Sequence, residues 1–392
     1  MHLGLFTTAV CAAGLIGLVG AIPNSRQPPH NPIESHQDGE VPMVRSYFYV
    51  GGNYEKSDNG EHVMIDQMYV EKLSPTGKHV KNTPVVLIHG KGQTGTNWLN
   101  KPDGGRGWAS DFISQGYEIY IVDQTLRGRS GLDPTSSDSK SSIFSADRIA
   151  QRFTAPQDYL LWPQAALHSQ WPGTGKMGDT VFDNFYSSNV QYINNDTYQQ
   201  QTMQNAGAAL LEKIGKKAIV VGHSQAGIFP PLIADAKPEL IQALVLLEPT
   251  GPQFREAVFS QTPARAWGLT DVPLTYDPAV TDPAQDLKQK IFPARAENEA
   301  ECVRQDDEDP DHKPRKLKNL VDIPILVVTA EASYHAVYDY CTVEYLKQAG
   351  CSQTEHYELG KMGIKGNGHM LFLEKNSQQI QRKVEAWIRK VC

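Results

Sequence analysis

Short apolar stretches alternate with helical patterns along the chain and predict a layered α/β fold. Strands are predicted at residues 45–50, 62–70, 83–90, 117–122, 218–221, 243–247, 325–329 and 356–359. Most are near-continuous apolar runs, which are typical of strands buried on both faces. Helices are predicted at residues 108–115, 228–236, 337–348 and 376–391. This alternation predicts one mostly parallel, eight-stranded sheet with helices on both faces.

Two long segments interrupt the alternation, at about residues 132–199 and 250–319. The first contains several aromatic residues among polar and proline-rich stretches, and the second is proline-rich and then strongly charged. Insertions of this length between strands are usually lids or binding loops. We therefore expect one α/β domain over residues 44–392 with two cap insertions, whose aromatic residues (Trp162, Trp171, Phe182, Phe185 and Tyr186) would form substrate pockets.

The first residues predict export from the cell. Residues 1–21 hold a short apolar run and end in Val19-Gly20-Ala21, which resembles the cleavage site of a secretory signal peptide. Residues 22–43 show no periodicity and predict a loose arm. The apolar run is shorter than the roughly 20 residues that a membrane span needs, so we expect a secreted protein without a stable membrane anchor.

Composition adds one exclusion and leaves one property open. The chain has 392 residues, 40% hydrophobic and 21% charged, which is an ordinary globular composition. Its net charge of −7 offers no basic surface for nucleic acid. The oligomeric state does not follow from these numbers.

Secretion makes the cysteines informative. Without the predicted signal peptide the chain keeps Cys302, Cys341, Cys351 and Cys392. An even count in an oxidising compartment predicts two disulfides with three possible pairings, of which we favour Cys302–Cys341 with Cys351–Cys392. The spacing C-x-x-C is missing, so a zinc site is not expected. Asn195, in Asn195-Asp-Thr, is a predicted glycosylation acceptor.

The segment Gly222-His-Ser224-Gln-Ala226 predicts a nucleophile. It follows an apolar strand and precedes a helix, the context that exposes a serine on a sharp turn. Such a turn needs small residues two before and two after the serine, and Gly222 and Ala226 fill these positions. We interpret Ser224 as the nucleophile and the neighbouring His223 as structural.

A base and an oxyanion hole are predicted at two glycine-rich loops. His369, in Gly366-Asn-Gly-His369, lies between the last strand and the closing helix, where it can reach over the strand ends to the serine. The loop after the strand at residues 83–90 begins His89-Gly-Lys91-Gly92. We expect the backbone N–H groups of Lys91 and Gln225 to stabilise an oxyanion, with Gly92 as an alternative to Lys91.

Two carboxylates compete for the role of the acid. Glu248 follows the strand after the nucleophile, and Glu331 follows the next strand, which is the commoner site in such enzymes. The usual pattern there is Gly-x-x-Asp, and aligning Ala330 with its glycine places Ser333 at the acid position. Glu248 emerges directly from an apolar strand, where a carboxylate needs a partner such as a histidine N–H. The residues favour Glu248, with Glu331 as the runner-up.

These motifs resemble the α/β-hydrolase fold over roughly residues 45–391, the insertions excepted. Asp123…Arg127-Gly-Arg-Ser130 looks like the turn after the fourth strand in many members. Within the superfamily the chain is most similar to a small group of secreted or periplasmic carboxylesterases, in which a Glu follows the sixth strand and the nucleophile turn is Gly-His-Ser-Gln. The resemblance implies that Glu248 is the acid. Ala226 departs from the usual glycine and is sterically tolerated.

These residues together predict a serine esterase with a Ser224–His369–Glu248 triad and an acyl-enzyme intermediate. No metal or organic cofactor is expected, and aromatic insertions suggest a small or medium apolar ester. A lactonase, a polyester or carbonate hydrolase, or an amidase would use the same triad. A binding protein that has lost catalysis is disfavoured, because the chain keeps a candidate for each role. Lipase action is a weaker alternative, since no long amphipathic lid is evident.

Overall fold

A computed structural model describes Met1 and residues 40–57, 59–77, 80–133, 136–309 and 313–392. Apart from Met1, the predicted signal peptide at residues 1–21 lies outside these residues. So does the predicted arm at residues 22–43 up to residue 39. The described residues from Glu40 to Cys392 belong to one compact unit.

An eight-stranded sheet forms the centre of the fold. Its strands are β1 (Met43–Lys56), β2 (His62–Pro75), β3 (Val85–Ile88), β4 (Ile119–Asp123), β5 (Ala218–His223), β6 (Ile241–Leu247), β7 (Ile325–Thr329) and β8 (Thr354–Glu358). They lie in the order β1-β2-β4-β3-β5-β6-β7-β8. The first two pairings, β1 with β2 and β2 with β4, are antiparallel, and the others are parallel. The predicted α/β sheet is therefore confirmed.

Helices cover both faces of the sheet. They are α1 (Trp108–Ser114), α2 (Ala146–Ile149), α3 (Thr180–Ser187), α4 (Asp196–Ile214), α5 (Phe229–Ala236), α6 (Pro283–Asp286), α7 (Asp339–Gln348) and α8 (Ser377–Val391). Alternate strand residues face opposite layers: Val86 belongs to the buried cluster that includes residues of α4, α5 and α7, whereas Val85 belongs to the cluster that includes residues of α1 and α8. Burial on both faces explains why β3 to β7 are almost uninterrupted apolar runs.

Short elements fill the two long connections. A π-helical turn, Ala150–Thr154, continues α2. Two-stranded pairs join Ser141–Ser142 with Tyr192–Ile193, Gln289–Phe292 with Cys302–Gln305, and Tyr276–Asp277 with Lys316–Leu317. Further 3-10 turns are Gly95–Trp98, Ser137–Ser139, Pro156–Asp158, Pro163–Leu167, Ser224–Ile228, Pro238–Leu240 and Tyr334–Val337. The aromatic residues Trp171, Phe182 and Phe185 pack into the core rather than around a substrate pocket.

The cysteines correct one prediction. Cys302 and Cys341 form a disulfide, as favoured, whereas Cys351 and Cys392 are free thiols. The expected second disulfide is wrong because the two residues belong to opposite faces of the sheet. Cys351 is buried in the layer of α7, and Cys392 is exposed at the end of α8 in the other layer. Burial in apolar surroundings raises the pKa of the Cys351 thiol to about 12, which makes this thiol inert.

Candidate active site

The predicted nucleophile lies on a sharp turn between β5 and α5. Ser224 adopts a left-handed backbone conformation with φ of 58°, which is unusual for a residue other than glycine. A Cβ on Gly222 would lie 2.1 Å from the carbonyl oxygen of Ala226. A Cβ on Gly227 would lie 2.3 Å from Cα of Pro249. Gly222 is therefore required by direct contact with the Ala226 backbone, as the sequence pattern predicts, and Gly227 by its contact with Pro249.

The structure brings Ser224, His369 and Glu248 together. Nε2 of His369 lies 3.0 Å from Oγ of Ser224, and Nδ1 lies 2.7 Å from Oε2 of Glu248. Both His369 and Glu248 are buried, with 1% and 0% of their surface exposed. The imidazole thus links a hydroxyl to a carboxylate in one chain of hydrogen bonds, which is the geometry that activates a nucleophile.

Glu248 is held by groups from the segment that follows β7. Its carboxylate accepts hydrogen bonds from the Ala330 N–H at 2.7 Å and from the Ser333 hydroxyl at 2.5 Å. Burial raises the pKa of Glu248 to about 8, against the influence of His335 and of these hydrogen bonds. Burial also lowers the pKa of His369 well below its usual range. Both shifts have the same cause, because burial disfavours the charged form of each group.

The runner-up carboxylate has other partners. Glu331 accepts a hydrogen bond from the Lys365 ammonium and another from the Gly366 N–H, both at 2.8 Å. It thus holds the start of the loop that contains His369 rather than the imidazole itself. Among the two candidates, Glu248 is the one in contact with His369.

Buried polar groups fix the His369 loop. Glu374, fully buried, accepts a hydrogen bond from the Gly368 N–H at 2.9 Å and contacts Nε2 of His168 at 2.8 Å. His223 donates from Nε2 to the carbonyl of His369 at 2.9 Å. Burial lowers the pKa of His223 to about 3, so its ring is neutral and structural. Glu374 and His168 were not predicted, because isolated polar residues give no signal in the sequence.

The predicted oxyanion donors line the same cavity as Ser224. Lys91 and Gln225 both contribute to the wall of this cavity. Their side chains bind the Asp196 carboxylate, which lies 2.7 Å from Lys91 Nζ and 3.1 Å from Gln225 Nε2. A Cβ on Gly90 would lie 3.2 Å from Cβ of Ser224, so the loop passes close to the nucleophile. Gly92 instead packs against Phe144.

A buried arginine supports this loop. Nη1 of Arg127 donates to the carbonyl of Gly90 at 3.1 Å and to Oε1 of Gln225 at 3.3 Å. Arg127 is fully buried, and burial lowers the pKa of its guanidinium to about 9. The turn after β4 marks this residue in the sequence, but its contact with both predicted oxyanion segments was not foreseen.

Aromatic rings surround His369 at the base of a cavity of about 620 Å³. The ring centroids of Phe153, Tyr334 and His335 each lie 4.9 Å from that of His369. The hydroxyl of Tyr334 lies 3.4 Å from His369 Nε2. The cavity wall also contains Phe144 and several charged residues, so it is more polar than the aromatic insertions suggested.

One group of possible metal ligands occurs among the described residues. Atoms of Glu248, His335 and His369 lie within 4.8 Å of one another. Their ligand atoms have other partners, because His369 binds Ser224 and Glu248, and Nδ1 of His335 contacts Asp339 at 2.9 Å. The hydrogen bonds account for this cluster without a metal ion.

Asn195, the predicted glycosylation acceptor, is exposed and caps α4. Its Oδ1 accepts a hydrogen bond from the Tyr198 N–H, and its Nδ2 donates to Asp138. The residue lies on the wall of the cavity. Glycosylation at this position stays a prediction. No helix in the described part of the chain has the length and apolar character to cross a bilayer.

Comparison with known proteins agrees with this architecture. The profile of the Alpha/beta hydrolase family matches residues 85–380. A probable secreted lipase, phiG, of a fungal species (strain ATCC 74256) is 46% identical over 347 residues, 88% of this chain and 90% of the relative. A novel bacterial esterase superposes with a TM-score of 0.59 at 22% identity, covering 89% of this chain and 97% of the esterase. The chain therefore belongs to the α/β-hydrolase family.

Proposed function

We propose that this protein is a secreted serine hydrolase that cleaves carboxylic esters through an acyl-enzyme intermediate. The observation that supports this proposal most directly is the His369 imidazole between Ser224 Oγ and the Glu248 carboxylate. The names of the fungal lipase and the bacterial esterase agree with ester hydrolysis. The fungal relative's name and the Cys302–Cys341 disulfide favour secretion.

In the first half of the reaction, His369 takes the proton from Ser224 as Oγ attacks the ester carbonyl. Glu248 keeps the proton of the imidazole on Nδ1 and stabilises the imidazolium that forms. The backbone N–H groups of Lys91 and Gln225 are assigned to the oxyanion. Collapse of the tetrahedral intermediate transfers the proton from Nε2 to the leaving alcohol and leaves the acyl group on Ser224.

In the second half, water replaces the alcohol. His369 removes a proton from this water, whose oxygen attacks the acyl carbonyl, and a second tetrahedral intermediate forms in the same oxyanion site. Return of the proton to Ser224 releases the carboxylic acid. The buried environment of His369 serves both halves, because a neutral imidazole is the form that accepts a proton.

Purified protein with a chain-length series of p-nitrophenyl esters tests the proposal. Ser224→Ala is expected to reduce kcat by about 10⁶, since serine and histidine of such triads act as a unit. Glu248→Gln should reduce it by about 10⁴, because the imidazole loses its orienting partner.

Glu331→Gln is the matched control, since it removes a nearby carboxylate that does not contact His369. We expect it to change kcat only a few-fold by loosening the loop. Full activity in Ser224→Ala would refute the mechanism, and a crippled Glu331→Gln beside an intact Glu248→Gln would refute the assignment of the acid. Matched p-nitroanilides distinguish an amidase.

A further inference from the structure

The π-helical turn after α2 places two consecutive side chains at the active-site cavity. Phe153 packs its ring against His369, and Arg152 directs its guanidinium to within 3.7 Å of the centroid of Phe259. Both residues line the cavity that contains Ser224. π-helical turns are rare in proteins, and those that occur are frequently at functional sites. The first insertion thus places the guanidinium of Arg152 at the wall of the cavity.

Arg152 differs from the other cations of the cavity wall in its partners. Lys91 is bound to Asp196 at 2.7 Å, and Arg265 is bound to Glu256 at 2.7 Å. No hydrogen bond or ion pair involving Arg152 occurs among the described residues; its contact is the face of Phe259. A guanidinium has five N–H donors and remains protonated at neutral pH, so its donors stay available.

The acids of the cavity wall are also engaged elsewhere. Asp196 binds the side chains of Lys91 and Gln225. Asp271 accepts hydrogen bonds from the backbone N–H of Arg265 and from the side-chain amide of Gln200. Arg152 is half buried, and burial together with the nearby positive charge of Arg148 lowers its pKa. An anion bound at Arg152 would offset both influences, because an opposite charge favours the protonated guanidinium.

Two ring contacts connect Arg152 with the reacting atoms. The Phe259 ring, which the guanidinium covers, lies 5.2 Å from the ring of Tyr334. The Tyr334 hydroxyl lies 3.4 Å from Nε2 of His369. Arg152 and Ser224 also line the same cavity, so one substrate molecule can present an ester at Ser224 and a second polar group at Arg152.

From this arrangement we infer that Arg152 binds a carboxylate on the substrate, so that the preferred substrates are anionic esters. Two classes fit: monoesters of dicarboxylic acids, and esters of hydroxy acids with a free carboxylate. This inference rests on the proposed ester hydrolysis. A planar guanidinium matches a carboxylate with two parallel hydrogen bonds, which adds orientation to attraction.

Paired esters with and without a carboxylate test the inference. In the first pair, mono-p-nitrophenyl succinate is compared with p-nitrophenyl butyrate; in the second, 3-acetoxybenzoate is compared with phenyl acetate. We expect kcat/KM to favour the anionic member in at least one pair by about 10-fold or more, as for hydrogen bonds to a charged group. Arg152→Gln should remove this preference while retaining hydrolysis of the neutral ester, and Arg152→Lys should retain part of it.

Arg148→Gln is the matched control, because Arg148 is exposed one turn earlier and lies over Phe144 at 5.9 Å. It should retain the preference for the anionic ester. The inference is overturned if wild-type protein favours the neutral ester in both pairs, or if Arg152→Gln changes both members of a pair equally. If Arg152→Gln fails to fold, the wild-type ratios and Arg152→Lys decide. Failure of folded wild-type protein to cleave any ester instead refutes the proposed function.

Discussion

The hydroxyl of Ser333 provides the most specific test of the role proposed for Glu248. Three donors surround this carboxylate: the Ala330 N–H, the Ser333 hydroxyl and Nδ1 of His369. Ser333→Ala removes one of them and leaves the other two. Because the hydroxyl stabilises the charged carboxylate, its loss raises the pKa of Glu248. The ionised form of Glu248, which the mechanism requires, then forms only at higher pH.

The size of the shift follows from the hydrogen bond. Burial already raises the pKa of Glu248 to about 8, and the Ser333 bond opposes this shift. A hydrogen bond to a charged group contributes about 1.5–3 kcal/mol, and one pKa unit corresponds to about 1.4 kcal/mol. The acid limb of activity should therefore move upward by about one to two units.

The measurement is the pH profile of kcat/KM for a neutral p-nitrophenyl ester. Its acid limb reports the Glu248–His369 pair in the free enzyme, whose pKa belongs to the pair rather than to one residue. Above the shifted limb, Ser333→Ala should recover most of the wild-type activity, because the remaining donors still orient the carboxylate. A reduced plateau alone would indicate displacement of His369.

Ser136→Ala controls for a second effect of the substitution. The Ser333 hydroxyl also accepts a hydrogen bond at 3.2 Å from the His335 N–H at the start of a 3-10 turn, and Ser136 accepts the same bond at 3.2 Å from the Asp138 N–H. Losing either cap costs about 1 kcal/mol of stability. If the acid limb of Ser333→Ala lies at the same pH as that of Ser136→Ala, the pKa of Glu248 does not set this limb, and the reasoning is refuted.

Two further substitutions test the loop and the disulfide. Gly90→Ala places a Cβ 3.0 Å from His223 Nδ1 and 3.2 Å from Ser224 Cβ, so kcat/KM should fall by about 10². Gly77→Ala is the control, because its Cβ meets no atom within 4 Å and should leave kcat/KM unchanged. Equal activities of the two variants would contradict the close approach of Gly90 to Ser224. Removing the Cys302–Cys341 disulfide by serine substitution opens a loop with a sequence separation of 39 and should lower the free energy of unfolding by about 2–4 kcal/mol in denaturant titration. Cys392→Ser should leave it unchanged, and an unchanged double variant would show that the disulfide contributes no stability.

The sheet and the contact among Ser224, His369 and Glu248 could be predicted from the sequence, because local sequence patterns mark the strands and the three residues. Apolar runs mark strands buried on both faces, and strand ends mark where Ser224 and Glu248 must lie. Even the departure from the common pattern was informative. Ser333 occupies the position where an acid is usual, and in the structure its hydroxyl donates to Glu248, the residue that follows the neighbouring strand.

The remaining features depend on long-range packing that no local pattern encodes. The preference for Cys351–Cys392 failed because residue spacing does not reveal which face of the sheet each thiol occupies. The aromatic residues of the first insertion were expected around a substrate, but Phe182 and Phe185 fill the core. Arg152 gave no signal, since a single arginine near a proline-rich segment is ordinary.

The position of Glu248, the proposed acid, directly after β6 has a structural consequence for the whole site. Ser224 and Glu248 follow adjacent parallel strands, and both adopt left-handed conformations, with φ of 58° and 49°. Such conformations cost about 1–3 kcal/mol each and persist only when packing enforces them. Here the turns restrain each other, because Gly227 packs against Pro249 and the Thr250 N–H donates to the Ser224 carbonyl at 3.0 Å. These two contacts restrain the distance between Ser224 and Glu248, whereas His369 is positioned by a separate loop.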